Sequence, residues 1–336
     1  MTKSGPAYGS ALRVHLENSR SKPPDKHYTP ERFEAAARGH RALARRVVVS
    51  VGYDGDISDK DLESVDIMLG VPVNRARLRH GAPRLRWIHT PYAGIDTLLP
   101  LDWLPAGAAL TTNRGVHGAK AREFVRMALA MLHMRMPQML ANQRRHDWRQ
   151  IFTPTLAGET ALIIGLGDLG GGAARAARDL GLKVHAVRHS GKPSALADRV
   201  YRLSRLDHLL PAADFVVIAA PLTAETRNLL DARRIALLKR DAGLINIARG
   251  ALVDHDALCA RLREGSLAGA VLDVMDREPL PADSPIWETP NLVITPHISC
   301  DEPDYTALTL ELWFANLARF LQRKPLKNRV DPRRGY

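Results

Sequence analysis

The stretch Thr160–Lys192, TALIIGLGDLGGGAARAARDLGLKVHAVRHSGK, decides the fold. Ala161, Leu162, Ile163 and Ile164 form a short apolar run typical of a strand buried in a parallel sheet, and it leads straight into Gly-x-Gly-x-x-Gly at Gly165, Gly167 and Gly170. An amphipathic helical pattern follows, then a second strand, Lys183 to Val187. Each glycine in this order has its own physical reason. Gly165 turns the chain tightly, Gly167 lets backbone approach a pyrophosphate, and Gly170 lets helix and strand pack closely. The phosphates then rest at the helix N-terminus, around Asp168 and Leu169, where free N–H groups and the positive dipole end favour anions. A bare glycine pattern is only a turn; the strand, turn, helix, strand context makes it a dinucleotide site.

About 20 residues beyond the first glycine, an acidic side chain would accept hydrogen bonds from the adenosine ribose hydroxyls. This chain has Arg188 there. A carboxylate would repel a 2′-phosphate, whereas Arg188 can pair with it, and His189, Ser190 and Lys192 share its loop. The expected cofactor is therefore NADP(H) in preference to NAD(H). The bland alternative is a set of solvated surface cations after a strand.

The 336 residues suffice for two domains with full cores, and 45% hydrophobic with 25% charged residues is the balance of a globular enzyme. No run reaches the roughly 18 apolar residues of a membrane span, and the polar N-terminus has no signal-peptide core. Two distant cysteines, Cys259 and Cys300, argue against a disulfide scaffold, so a cytoplasmic setting is expected and no metal site is. The net charge of +12 raises nucleic-acid binding, but the 48 Lys and Arg are dispersed and never interleave with aromatics as a stacking platform would. Handling an anionic substrate and cofactor accounts for the charge.

Residues 1–10 are expected to be disordered and Arg20 to Lys26 to be a connector. Short apolar runs at Leu12 to Leu16, Val47 to Val51, Ile67 to Leu69, Trp87 to His89 and Leu110 to Thr112 alternate with helical segments starting at Pro30 and Asp59. That rhythm implies a second parallel sheet, with Gly70 to Pro72 and Tyr92 to Asp96 leaving its strands. Lys120 to Gln143 reads as one Met-rich helix, packing between domains or subunits and bent or broken at Pro137. Trp148 suits a subunit contact or plain surface packing equally. Further strands follow at Phe215 to Ala219, Gly243 to Ala248, Ala268 to Asp273 and Leu292 to Ile294, with helices at Asp254 to Arg263 and Tyr305 to Gln322.

Three of these segments each deliver one ionisable residue: Arg249 in NIARGALVD, Glu278 in DREPLP and His297 in ITPHIS. Strand carboxyl ends border the ligand crevice of an open parallel sheet, so these side chains are expected to converge near the nicotinamide. Reducing a 2-keto acid needs a cation on the carboxylate and carbonyl and an acid for the new alkoxide. Arg249 supplies the fork, His297 the proton and Glu278 the group that orients the imidazole.

With GLGDLG, PLTAETRNLL, INIARGALVD, AGAVLDVMDREPLP and NLVITPHIS in place, the chain from roughly Val65 onward resembles the D-isomer-specific 2-hydroxyacid dehydrogenases, in particular their glyoxylate and hydroxypyruvate reductase branch. The resemblance implies Arg249, Glu278 and His297 as the catalytic set and Asp273 as a ligand of the nicotinamide carboxamide. It adds Ala220, Pro221, Thr226, Ile247 and Ala248 to the cofactor site. The backbone of Ala93 and Gly94, flanked by Val71, Tyr92 and Ile95, would bind substrate. It also implies an α/β fold of two parallel-sheet domains, Rossmann-like and flavodoxin-like. A dinucleotide domain at 113–298 is inserted into a discontinuous substrate domain formed by 1–112 and 299–336, with hinges near Asn113 and Ser299. A homodimer built on the dinucleotide domains is implied as well. Tyr92, Trp287 and Tyr305 are candidates either for the pocket wall or for packing, and Cys300 stands where a small residue is commoner. The expected activity is reduction of a small 2-keto acid to the D-hydroxy acid. Formate-using members pair the histidine with Gln, which Glu278 disfavours; the alternative from another class is an NAD(H)-sensing binding protein like the C-terminal-binding corepressors, which share the fold.

Overall fold

The computed structural model describes residues 11–332, so the disorder expected for residues 1–10 lies outside the described residues. The chain forms two compact units: one comprises the described residues up to Val116 together with those from Pro303 on, the other His117–Glu302.

The first unit holds a wholly parallel sheet of β1 (Leu12–Asn18), β2 (Val47–Tyr53), β3 (Ile67–Gly70), β4 (Trp87–His89) and β5 (Ala109–Thr111). Its order, β2-β1-β3-β4-β5, is the flavodoxin-like doubly wound one. Helix starts follow local chemistry: Thr29 accepts the Arg32 N–H ahead of Pro30, and Ser58 accepts that of Asp61. The helix Tyr305–Leu321 turns Leu310, Trp313, Phe314 and Leu317 inward at three- and four-residue spacing. There Trp313 stacks on Trp87 with ring centroids 5.6 Å apart, and Phe33 completes the cluster. Beyond this helix Asn328 returns to β5, its carbonyl accepting the Thr112 N–H at 3.1 Å and its side chain donating to the Thr112 carbonyl.

The second unit contains β6 (Thr160–Ile164), β7 (Lys183–Val187), β8 (Arg199–Tyr201), β9 (Phe215–Ile218), β10 (Gly243–Asn246), β11 (Gly269–Leu272) and β12 (Leu292–Ile294). They form one parallel sheet ordered β12-β11-β10-β9-β6-β7-β8, which reverses direction between β6 and β9. Strands β9, β10 and β11 are buried along their whole length, as strands covered by helices on both faces should be, and all but Asn246 of β10 are apolar. On one face, the helices Gly118–His133 and Asp168–Asp179 approach so closely that a Cβ on Gly172 would lie 2.4 Å from the Gly118 carbonyl oxygen, and Ala121, Ala128, Ala173 and Ala176 are fully buried in the same cluster.

Several boundaries differ from the sequence reading. The helix expected over 120–143 is two, Gly118–His133 and Met136–Arg144, separated by Arg135 in the left-handed region at φ 55°. Pro137 lies in the first turn of the second helix, where its missing N–H costs nothing. The strands end at Ile218, Asn246 and Leu272, short of the expected bounds; Ala219, Ile247 and Asp273 still donate their N–H groups to the neighbouring strand, and Ala248 belongs to the loop. The three-residue β8 and the basic helix Arg75–Gly81 were unanticipated, because neither shows a readable apolar period.

His89 is fully buried in the first unit, its Nδ1 2.8 Å from Thr111 Oγ1, and burial pushes its pKa down to about 4. The unfolded chain takes up a proton near pH 6.5 while the folded chain does not. Stability is therefore full above that pH and falls by up to about 3 kcal/mol as pH drops toward 4. His89→Gln should flatten the urea-unfolding midpoint across this window; an unchanged slope would show that His89 does not carry it.

Candidate active site

The glycine turn, Arg188, Arg249, Asp273 and His297 follow directly on the carboxyl ends of β6, β7, β10, β11 and β12, and Glu278 lies in the loop after β11. Gly165 leaves β6 at φ +93°, and a Cβ there would lie 2.6 Å from the Ala220 backbone. At Gly170 a Cβ would lie 1.8 Å from the Gly165 carbonyl oxygen, so the turn closes only with hydrogen at both positions. The helix Asp168–Asp179 then begins at Gly167 with no side-chain cap, and nothing lies within 4 Å of a Cβ placed on Gly167. An uncapped N-terminus beside open space is the geometry that takes a phosphate, so these residues fit a dinucleotide. The Asp168 carboxylate faces back and accepts the His117 N–H at 3.1 Å.

Arg188 follows β7 half-buried, and Ser190 Oγ accepts the Lys192 N–H at 3.3 Å. His189 Nδ1 lies 3.8 Å from Glu225 Oε2, which links this loop to the one after β9. Thr226 closes its own loop: its hydroxyl donates to the Pro221 carbonyl at 2.7 Å and accepts the Thr223 N–H at 2.8 Å. Ile247 and Ala248 are buried, which leaves their backbone as the part available.

Arg249 lies just past β10. Asn246, fully buried at the end of that strand, donates to the Arg249 carbonyl at 2.9 Å and accepts the Ala248 N–H at 3.0 Å, fixing the turn. Gly250 then approaches the Met275–Asp276 backbone so closely that a Cβ would lie 2.1 Å from the Met275 carbonyl carbon. This brings the Arg249 turn against the loop carrying Glu278. Glu278 Oε1 accepts the Met275 N–H at 2.9 Å and Oε2 lies 2.7 Å from His297 Nδ1. His297 is left-handed at φ 56°, a strained conformation for this residue, and its neighbours hold it there.

The holder is Asp273. Only 1% exposed, it accepts the Thr295 hydroxyl at 2.6 Å and the Ile298 and Ser299 N–H groups at 2.9 Å each, while its carbonyl takes the His297 N–H at 2.9 Å. These hydrogen bonds of the carboxylate hold the loop bearing His297, and Oδ2, which takes the Ser299 N–H, retains a further acceptor position. The Arg249 charge is felt at Cys300 and at His117. Burial, with Asp301 and Asp273 nearby, pushes the Cys300 thiol up to about 12, which leaves it a protonated, inert side chain. Burial also holds the His117 imidazole below its ordinary range.

In the first unit, Val71 follows β3 and Tyr92–Ile95 follows β4, both at the carboxyl edge of that unit's own sheet. Ile95 is 2% exposed inside the core with Leu98 and Trp103, so its side chain is packing. Tyr92 is half-buried, and Tyr305 donates its hydroxyl to the Pro91 carbonyl. Trp287, in the second unit, donates to the Pro281 carbonyl at 2.9 Å. Among the described residues, no group of three His, Cys, Asp or Glu is placed to hold a metal, and no helix is long and apolar enough to cross a membrane.

Asp273→Ala would strand the Ile298 and Ser299 N–H groups and the Thr295 hydroxyl and should lower unfolding free energy by about 3 kcal/mol. Thr295→Val removes one of those bonds and should cost about 1 kcal/mol. Equal losses in urea titrations would show that the carboxylate does not hold the loop.

A sequence model of the family described as D-isomer specific 2-hydroxyacid dehydrogenase, NAD binding domain, matches residues 126–299. Glyoxylate/hydroxypyruvate reductase B of Pectobacterium atrosepticum is 32% identical over 282 residues, 82% of each chain. Among solved structures, a D-isomer specific 2-hydroxyacid dehydrogenase of Xanthobacter autotrophicus in complex with NADPH and MES superposes with TM-score 0.81 at 30% identity, covering 97% of this chain and 100% of that one. The NADPH-dependent glyoxylate/hydroxypyruvate reductase of Sinorhizobium meliloti, in complex with NADP and sulfate, gives 0.79 at 28% identity with the same coverage. With a glycine turn closed by backbone contact and Arg249, Glu278 and His297 on one sheet edge, this chain belongs to the D-isomer-specific 2-hydroxyacid dehydrogenase family.

Proposed function

We propose that this chain is a reductase of small 2-keto acids such as glyoxylate or hydroxypyruvate, forming the D-2-hydroxy acid with NADPH in preference to NADH. The observation that carries it is the 2.7 Å contact between Glu278 and His297, on the same sheet edge as Arg249 and the uncapped helix. The helix N-terminus behind Gly165–Gly170 would hold the pyrophosphate, and Arg188, Ser190 and Lys192 the 2′-phosphate. When bound, the nicotinamide supplies a hydride to the keto carbon. Arg249 presents a planar fork to the carboxylate and polarises the keto oxygen. Glu278 occupies His297 Nδ1, so Nε2 is the atom that delivers the proton to that oxygen. The anchored Oε1 of Glu278 fixes the ring's direction before substrate arrives. Relatives named glyoxylate/hydroxypyruvate reductase, and related structures holding NADPH or NADP, support the same reading.

A homodimer belongs to this proposal. Trp148 and Phe152, 96% and 86% exposed just past the helix Met136–Arg144, are apolar surface that a second copy would cover. Sedimentation should give twice the chain mass, and Trp148→Ser with Phe152→Ser should halve it; a monomeric native protein removes the dimer.

The reaction is tested by steady-state rates on a panel of 2-keto acids with each cofactor. Glyoxylate or hydroxypyruvate should turn over with a higher kcat/KM for NADPH than for NADH. Arg249→Lys, which keeps the charge but loses the fork, should cost about 100-fold in kcat/KM. Tight cofactor binding without turnover of any member would instead favour the sensor class, and near-native turnover by the lysine variant would remove Arg249 from its role.

A further inference from the structure

We propose that Arg202, beyond the end of β8, is a second guanidinium for the adenosine 2′-phosphate and so a determinant of cofactor choice; this rests on the NADPH reading above. Strands β7 and β8 run parallel with Val187 opposite Tyr201, and the Arg188 N–H continues the ladder by donating to the Tyr201 carbonyl at 3.0 Å. Arg188 and Arg202 are therefore the next matched pair, leaving adjacent strands at the same carboxyl edge. The loop then folds toward Arg202. Gly191 closes a turn by donating its N–H to the Arg188 carbonyl at 3.0 Å, with φ +61°. A Cβ on Gly191 would lie 2.7 Å from Arg202 Cγ and 3.4 Å from its Nε, so the Arg202 stem lies across the turn that carries Arg188, His189 and Ser190.

The charge pattern points the same way. Elsewhere in this unit, several arginines have carboxylate partners: Arg122 and Arg126 on Asp179, Arg178 on Asp198, Arg233 and Arg234 on Asp207. Among the described residues, neither the Arg188 nor the Arg202 side chain has an ion pair or a side-chain hydrogen bond. Two like charges gathered at one turn, neither paired with a carboxylate although Glu225 lies 3.8 Å from His189, form a site that a dianion completes, and a 2′-phosphate is such a dianion at the ribose end of the dinucleotide. Ribose hydroxyls alone would leave the pair uncompensated.

The test is calorimetric titration of the full-length protein with adenosine 2′,5′-bisphosphate and with 5′-AMP, using the native chain, Arg202→Ala, Arg202→Met and Arg188→Ala. Arg202→Met keeps the stem over Gly191 and removes the charge. Both Arg202 variants should bind the bisphosphate about tenfold more weakly, with 5′-AMP affinity moving much less. A raised KM for NADPH relative to NADH should accompany the loss. Unchanged bisphosphate affinity in Arg202→Met, with Arg188→Ala still weakened, overturns the role of Arg202 and leaves the NADPH reading standing. A native chain that binds the bisphosphate no more tightly than 5′-AMP overturns the NADPH reading itself, and this proposal with it.

Discussion

A buried carboxylate that gathers three donors is the constraint on which the candidate site depends. Asp273 is out of water, where a polar group is costly unless hydrogen-bonded, and the Thr295 hydroxyl and two successive N–H groups converge on it. Those donors fix the backbone on either side of His297, which explains how an imidazole-bearing residue is kept in a left-handed conformation. The carboxylate of Glu278 then has a fixed ring to meet, and its other oxygen is tied to its own turn. Position passes from a buried charge to a loop, and from the loop to the ring.

Close backbone approach acts in the same way at the other end of the sheet edge. The contact between Gly165 and Gly170 seats the helix N-terminus, and the contact between Gly250 and the Met275–Asp276 backbone seats the Arg249 turn against the Glu278 loop. Each requires hydrogen in place of a methyl group. The sheet contributes parallel strands whose ends fall on one edge; the glycines and buried polar side chains decide where the loops go from there.

Much of this was legible in the chain. Apolar runs of four or five residues gave the strands of the second unit, since a strand covered on both faces cannot hide its composition. The glycine spacing located the turn, and Arg249, Glu278 and His297 stood out as ionisable residues following such runs. Less legible were features set by partners distant in sequence. That Asp273 holds the His297 loop could not be read, because its three donors lie 22 to 26 residues away in a loop whose course no period reveals. The loop-closing bonds of Thr226 could not be read either, because its hydroxyl's partners are carbonyl and amide groups. Asn246 was missed, although a polar residue closing the run GLIN was a signal that a buried turn needed pinning. Arg202 was invisible for the same reason as β8: three residues with one aliphatic side chain carry no pattern.

The helix Tyr305–Leu321 is the last helix of the chain, yet it supplies Leu310, Trp313, Phe314 and Leu317 to the core around β1, β3 and β4. During synthesis the first unit therefore emerges with the face around Phe33 and Trp87 uncovered until the whole of His117–Glu302 has been translated. At roughly 5 to 20 residues per second this lasts on the order of tens of seconds. The inserted unit, contiguous in sequence, can finish folding in that interval, and the first unit, begun before it, is completed after it.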